Sequence, residues 1–193
     1  MKNLVNQDGE ETIYYIVDGL ICETDNNTGA EISTDESGSF RYWNDGDFLF
    51  LYSDGKLWQF EEMEAFANFA EGKDIEPSDI FPEFTDDQFY AIAFTLMPSF
   101  EEMSDASLSG TNLEIMGNEY LFGTDAEMDE LWDEYLDNYI DECILPEVPE
   151  AFQNYFDDEK WKSDAKDDGR AHSLASYDGH ELSHGDYYFY RTN

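Results

Sequence analysis

Basic residues are what this sequence lacks most. Lys and Arg number 9 against 47 Asp and Glu, a formal net charge of -38 over 193 residues, far beyond what solubility requires. A surface of that sign repels phosphates, which argues against direct nucleic-acid binding. Cysteine is scarce as well. Cys22 and Cys143 are too few for a disulfide framework and lack the spacing of a C-x-x-C metal site, so a reducing compartment and buried thiols are expected. No stretch approaches the roughly 20 apolar residues of a membrane span, and residues 1–8 show no apolar h-region. The expectation is a cytoplasmic protein with no membrane partner. Neither a Gly-rich phosphate loop nor a nucleophile elbow occurs, and nothing marks a cleft for a catalytic carboxylate pair. The expectation is therefore a non-enzyme with no catalytic residue, no cofactor and no metal.

Aromatic residues are plentiful: 15 Phe, 13 Tyr and 4 Trp. Acidic disordered chains are poor in them, so this chain is expected to fold. Its acids are interleaved with apolar residues at regular spacing, which makes them one face of a folded object. The charge is polarised along the chain. Residues 1–159 hold 41 acids and 4 bases, whereas residues 160–193 hold 6 and 5. That asymmetry favours a dedicated acidic surface over halophilic adaptation, which would spread acids throughout.

The pattern predicts an α+β protein: an N-terminal antiparallel β-sheet, then amphipathic acidic helices, then a C-terminal α/β portion. Subdomains are expected at 1–60, 61–110 and 111–193. Asp18-Gly19 stands between Ile13-Tyr14-Tyr15-Ile16-Val17 and Leu20-Ile21-Cys22, a hairpin signal because Asp-Gly tolerates the positive φ of a type I′ turn. Asp45-Gly46 and Asp54-Gly55 bracket Phe48-Leu49-Phe50-Leu51-Tyr52 in the same way. Residues 61–71 read as a helix with Met63, Phe66, Phe69 and Ala70 on one face and Gly72 as its stop. A second helix opens on a Thr85/Gln88 capping box, carries Phe89, Ile92, Ala93 and Leu96, and ends at Pro98. Residues 75–84 read as a loop, and residues 112–122 as a hairpin turning at Gly117-Asn118.

Residues 124–144 form the segment richest in information. Thr124 and Glu127 make a capping box, and Met128, Leu131, Trp132, Tyr135, Leu136, Tyr139, Ile140 and Cys143 fall at helical spacing, a stripe expected to be buried. The remaining surface carries Asp125, Glu127, Asp129, Glu130, Asp133, Glu134, Asp137, Asp141 and Glu142, with no base in the segment to pair with them. Like charges at this spacing destabilise a helix, so their presence calls for a reason. A helix of about 20 residues is roughly 30 Å long, over which one DNA strand carries roughly nine phosphates. The nine acids match that density. A solvated charged face is the ordinary explanation for a single helix, but the charge of the whole chain favours mimicry of a polyanion.

From the same helix onward the sequence resembles the C-terminal part of the ArdA antirestriction family, over about a third of the chain. The elements are Tyr135, Tyr139-Ile140-Asp141-Glu142, Pro149-Glu150, Tyr155-Phe156-Asp157, a short helix over residues 159–164 and a terminal aromatic strand over residues 187–190. The resemblance implies an elongated, often dimeric α/β protein of phage or mobile-element origin, acting in the host cell cytoplasm. Such a protein mimics DNA and occupies the DNA-binding channel of a host defence enzyme of the restriction–modification kind. The residues expected to meet that enzyme are the nine acids above together with Asp157, Asp158 and Glu159. The alternatives are an acidic adaptor for a basic partner that is not an enzyme, and a halophilic enzyme.

Three other motifs stand out. His180-Glu181-Leu182-Ser183-His184 satisfies H-E-x-x-H, a zinc pattern when helical, but Gly179 and Gly185 flank it closely and a turn between two strands is expected. Asp25, Asn27 and Glu36 are spaced like a calcium loop, with Ala30 where a glycine is needed, so no such site is expected. Finally, Lys160, Lys162, Lys166 and Arg170, with His172, His180 and His184, could pack as a weakly basic patch against the acidic body or a second subunit.

Overall fold

The computed structural model describes the backbone of residues 2–6, 8–17, 20–23, 27–31, 42–44, 48–53 and 56–193, and the side chains of residues 8–10, 48–51 and 56–193. The chain is α+β and divides into two compact units, Met1–Ala106 and Ser107–Asn193.

In the first unit, β1 (Lys2–Asn6), β2 (Glu11–Val17), β3 (Leu20–Glu23), β4 (Asn27–Glu31), β5 (Tyr42–Asn44), β6 (Leu49–Ser53) and β7 (Lys56–Phe60) form one seven-stranded sheet in the order β4-β3-β2-β1-β7-β6-β5. Val17 lies opposite Leu20, and Ser53 opposite Lys56, so both connections are two residues long. That is the spacing the Asp-Gly pairs suggested. Asp18-Gly19, Asp45-Gly46 and Asp54-Gly55 themselves lie outside the described residues, as do Asp25 and Glu36 of the calcium-like spacing. The sheet reaches further than the pattern implied. Residues 2–6 add a strand that pairs antiparallel with β2 and parallel with β7, Leu4 opposite Leu57.

Helix α1 (Met63–Lys73) packs on strand β7, Phe66 and Phe69 meeting Phe60, and buries Met63, Phe66, Ala67 and Ala70. Gly72 does not stop it. The helix runs through Gly72, and Asp74 ends it in the left-handed conformation, with φ 58°. Helix α2 (Asp86–Leu96) opens on the expected reciprocal capping box of Thr85 and Gln88, and Met97 just before Pro98 takes the left-handed C-cap. Phe66 packs edge-on against Phe60 and Phe89 at 5.6 and 5.7 Å, and Phe81 stacks on Phe89 at 5.2 Å. The strands before residue 60 and the helices after it therefore share one aromatic core. A further capping box, Ser99 with Glu102, starts α3 (Phe100–Ser104).

The second unit is built on a five-stranded antiparallel sheet, ordered β11-β12-β10-β9-β8, from β8 (Ser107–Ser109), β9 (Asn112–Ile115), β10 (Asn118–Thr124), β11 (Glu181–His184) and β12 (Tyr187–Arg191). The hairpin from β9 to β10 turns at Met116-Gly117, not at Gly117-Asn118. Ile115 pairs with Asn118, and Met116 and Gly117 both have positive φ, 55° and 68°. These are the two positions a type I′ turn requires. Four helices complete the unit: α4 (Asp125–Tyr139), α5 (Glu150–Gln153), α6 (Asp158–Lys166) and α7 (Arg170–Leu174). Their core is Met128, Trp132 and Leu136 of α4 against Leu174, Ala175 and Tyr190, with Leu121, Trp161, Ala165 and Tyr188 packed around it.

No helix among the described residues is long and apolar enough to cross a membrane. The H-E-x-x-H segment is neither a helix nor a turn. Its Glu181 to His184 portion is strand β11, the turn comes after it at Gly185, and Glu181 accepts a hydrogen bond from the Tyr190 hydroxyl. In an extended strand two residues four apart are separated by roughly 13 Å, too far to share one zinc ion. No metal-binding cluster occurs among the described residues.

Candidate functional site

Strand β10 runs straight into α4 at Thr124, whose side chain accepts from the Glu127 amide while the Glu127 carboxylate accepts from the Thr124 amide at 2.8 Å and its hydroxyl at 2.7 Å. The Thr124 amide, followed by its hydroxyl, holds the Glu127 carboxyl below its ordinary pKa. The capping box also fixes which face of α4 meets the sheet. Met128, Trp132, Leu136 and Ile140 go under, each one turn from the next.

The expected stripe is broader than the buried one. Tyr135 and Tyr139 are 44% and 41% exposed, and Cys143 is exposed instead of buried. A change of helical pitch accounts for Cys143. After Tyr139 the chain continues as a single π-helical stretch, Ile140–Ile144, whose wider turn rotates Cys143 away from the stripe.

The acids of α4 are not without bases. A row one turn apart, Asp125, Asp129, Asp133 and Asp137, is braced by residues of the last two helices. Arg170 forks between Asp125 at 2.8 Å and Asp129 at 3.0 Å, Lys166 reaches Asp133 at 2.6 Å, and Lys162 reaches Asp137 at 2.8 Å. The brace is packed as well as charged. The Arg170 and Lys162 side chains are only 12% and 14% exposed. Arg170 lies over the Tyr188 ring at 4.5 Å, and Lys166 over Trp132 at 5.3 Å. Burial works against the Arg170 charge, but the hydrogen bond to Asp125 and the surrounding anionic groups outweigh it and raise the pKa. The hydrogen bond to Asp137 raises that of Lys162. Packing of these bases on the acidic body is one of the two arrangements the sequence suggested. The exception is Lys160, which pairs within α6 with Asp164 at 2.8 Å.

The twelve acids expected in the site thus separate by role. Four are neutralised by the brace. Glu127 caps α4, Asp157 caps α6 by accepting from the Lys160 amide at 3.0 Å, and Glu159 lies 3.6 Å from Lys162. Glu130, Glu134, Asp141, Glu142 and Asp158 are exposed and form no ion pair with a described residue. By helical geometry Glu130 and Glu134 lie one turn apart on the side of α4 opposite its buried stripe, and Asp141 follows in the π-helical stretch just after it. What α4 presents outward is this narrower row, stiffened from behind.

Beside the row, α4, α6 and α7 border a cleft of about 420 Å³ lined by Tyr135, Tyr139, Trp161, Asp164 and Asp168. The rings of Tyr139 and Trp161 stack at 5.8 Å with 15° between their planes. The cleft carries aromatic and anionic surface, with His172 and Ser173 of α7 on its remaining wall. Comparison with protein-family models, curated proteins and solved structures finds nothing that matches the chain.

Proposed function

We propose that this protein is a DNA mimic that inhibits a host DNA-binding defence enzyme by occupying its basic DNA channel. The observation that carries the reading is the set of outward carboxylates, Glu130 and Glu134 of α4 and Asp141 just after it, which form no ion pair with a described residue while the neighbouring row is braced by Arg170, Lys166 and Lys162. Three of the five bases in this unit are used to hold the helix, and its outer anionic face is kept open. A net charge of -38 adds a long-range field that steers association with a positive channel. The resemblance of the C-terminal third to the ArdA family supports a restriction–modification enzyme as the target and an elongated homodimer as the inhibitor. The cytoplasm of the infected host is then the place of action.

The test is inhibition of DNA methylation by a type I restriction–modification enzyme, with duplex DNA as competitor. Inhibition at near-stoichiometric protein, relieved by added duplex, is expected. Binding that duplex DNA fails to displace would instead identify an acidic adaptor for a basic partner of another kind.

A further inference from the structure

The cleft between α4, α6 and α7 combines three features that the carboxylate row alone does not have. It is concave, about 420 Å³, at the small end of ligand pockets, which run from about 300 to 1,000 Å³. It exposes aromatic surface, because Tyr135 and Tyr139 are left 44% and 41% exposed beside the buried Trp132, Leu136 and Ile140. It is also anionic at the C-terminal end of a helix. Asp164, Asp167 and Asp168 cluster at the end of α6, where the helix dipole favours cations and penalises acids. Asp164 is held by Lys160, but Asp168 has no ion pair with a described residue. A bound cation would relieve that unfavourable placement.

From this geometry we infer that the cleft receives an arginine side chain of the protein's basic partner, its guanidinium against the exposed rings of Tyr135 and Tyr139, beside Trp161, and paired with Asp168. The inference rests on the DNA-mimic reading for the source of that arginine. Arginine is the fitting occupant because its flat, weakly hydrated guanidinium stacks on aromatic rings and bonds carboxylates through two N–H groups, whereas the lysine ammonium is compact and strongly hydrated. The same unit already places a guanidinium over a tyrosine twice, Arg170 over Tyr188 at 4.5 Å and Arg191 over Tyr177 at 4.0 Å. A phosphate or nucleotide ligand would meet the negative field of the whole chain.

Titration of the full chain with N-acetyl-Gly-Arg-Gly-amide, followed by NMR, tests this directly. The expected result is saturable movement of the Trp161 indole and of the Tyr135 and Tyr139 ring signals. The citrulline peptide, equal in shape but uncharged, should cause none, and the lysine peptide should bind less tightly. Asp168→Asn and Tyr135→Leu should each weaken binding by about fivefold, the scale of one exposed cation–π or charge contact. The control Glu114→Gln, an exposed acid of strand β9 that does not line the cleft, should bind within about twofold of wild type. Amide spectra confirm that each variant is folded, and Asp168→Asn alone decides the matter if Tyr135→Leu is not. Equal response to citrulline, unchanged binding by Asp168→Asn, or shifts confined to the Glu130 and Glu134 region would overturn the inference. No target enzyme is in the tube. A silent titration beside DNA-relieved inhibition therefore removes the cleft and keeps the mimic, while the opposite pair of results does the reverse.

Discussion

At the scale of residues, Arg170 is the side chain on which the acidic helix depends most. It joins α7 to Asp125 and Asp129, covers Tyr188 and is almost buried. Arg170→Ala leaves Asp125 and Asp129 unpaired, removes the longer contact with Glu181, and removes packed aliphatic surface. It should lower stability by about 1–3 kcal/mol in urea unfolding. Arg170→Lys should recover less than half of that, because an ammonium cannot fork between two carboxylates. A loss within about 0.5 kcal/mol would mean the pair is an ordinary surface contact. Glu127 makes a pH-dependent contribution of the opposite origin. Its folded pKa is depressed by the Thr124 amide, so its contribution is present above its unfolded value of about 4.3 and is lost as pH falls through the folded value. Glu127→Gln should therefore cost about 0.5 kcal/mol at pH 7 and progressively less as the pH is lowered through the acid range. A difference that does not shrink at all as the pH is lowered would show that charge at the cap is not the cause.

At the scale of elements, what local chemistry decides is legible in the sequence, and what tertiary pairing decides is not. Both capping boxes, at Thr85 and Thr124, form as their sequence spacing predicts, because N-cap and N3 are three residues apart and need nothing from elsewhere. The strand at residues 2–6 escapes sequence reading because five residues with two adjacent apolar positions carry no period, and its parallel neighbour β7 lies far along the chain. The turn after β9 falls one residue earlier than expected because Met116 sits at a left-handed position that favours Asn or Gly. Replacing it by asparagine, to give Asn-Gly, should raise the stability of the second unit by about 1 kcal/mol. A lower melting temperature for Met116→Asn would contradict the assigned turn. Gly72, inside α1 with no heavy atom within 4 Å of a built Cβ and no positive φ, should likewise accept alanine with a gain of about 0.8 kcal/mol. As a stop it would have resisted that change.

At the scale of the whole molecule, composition disclosed the site's sign and its helix but not which acids remain available. Arg170 reaches Asp129 and the Asp125 carbonyl across 41 and 45 residues of sequence, and no periodicity within a helix reports a contact of that span. The nine-phosphate correspondence shrinks accordingly, to an outer row backed by a braced one. Self-repulsion among the remaining carboxylates should make the fold more stable in salt at pH 7, by about 2–4 °C for each kcal/mol of repulsion screened. A melting temperature that falls between about 10 mM and about 500 mM NaCl would show that the brace, not the repulsion, dominates.

The most direct measurement is the affinity for a type I restriction–modification enzyme across a salt series, for wild type and for Glu130→Gln/Glu134→Gln/Asp141→Asn. The account predicts that wild-type binding weakens steeply with salt, and that the triple variant, still folded, binds at least about tenfold more weakly with a shallower salt slope. A triple variant that binds like wild type, with an unchanged slope, would contradict it.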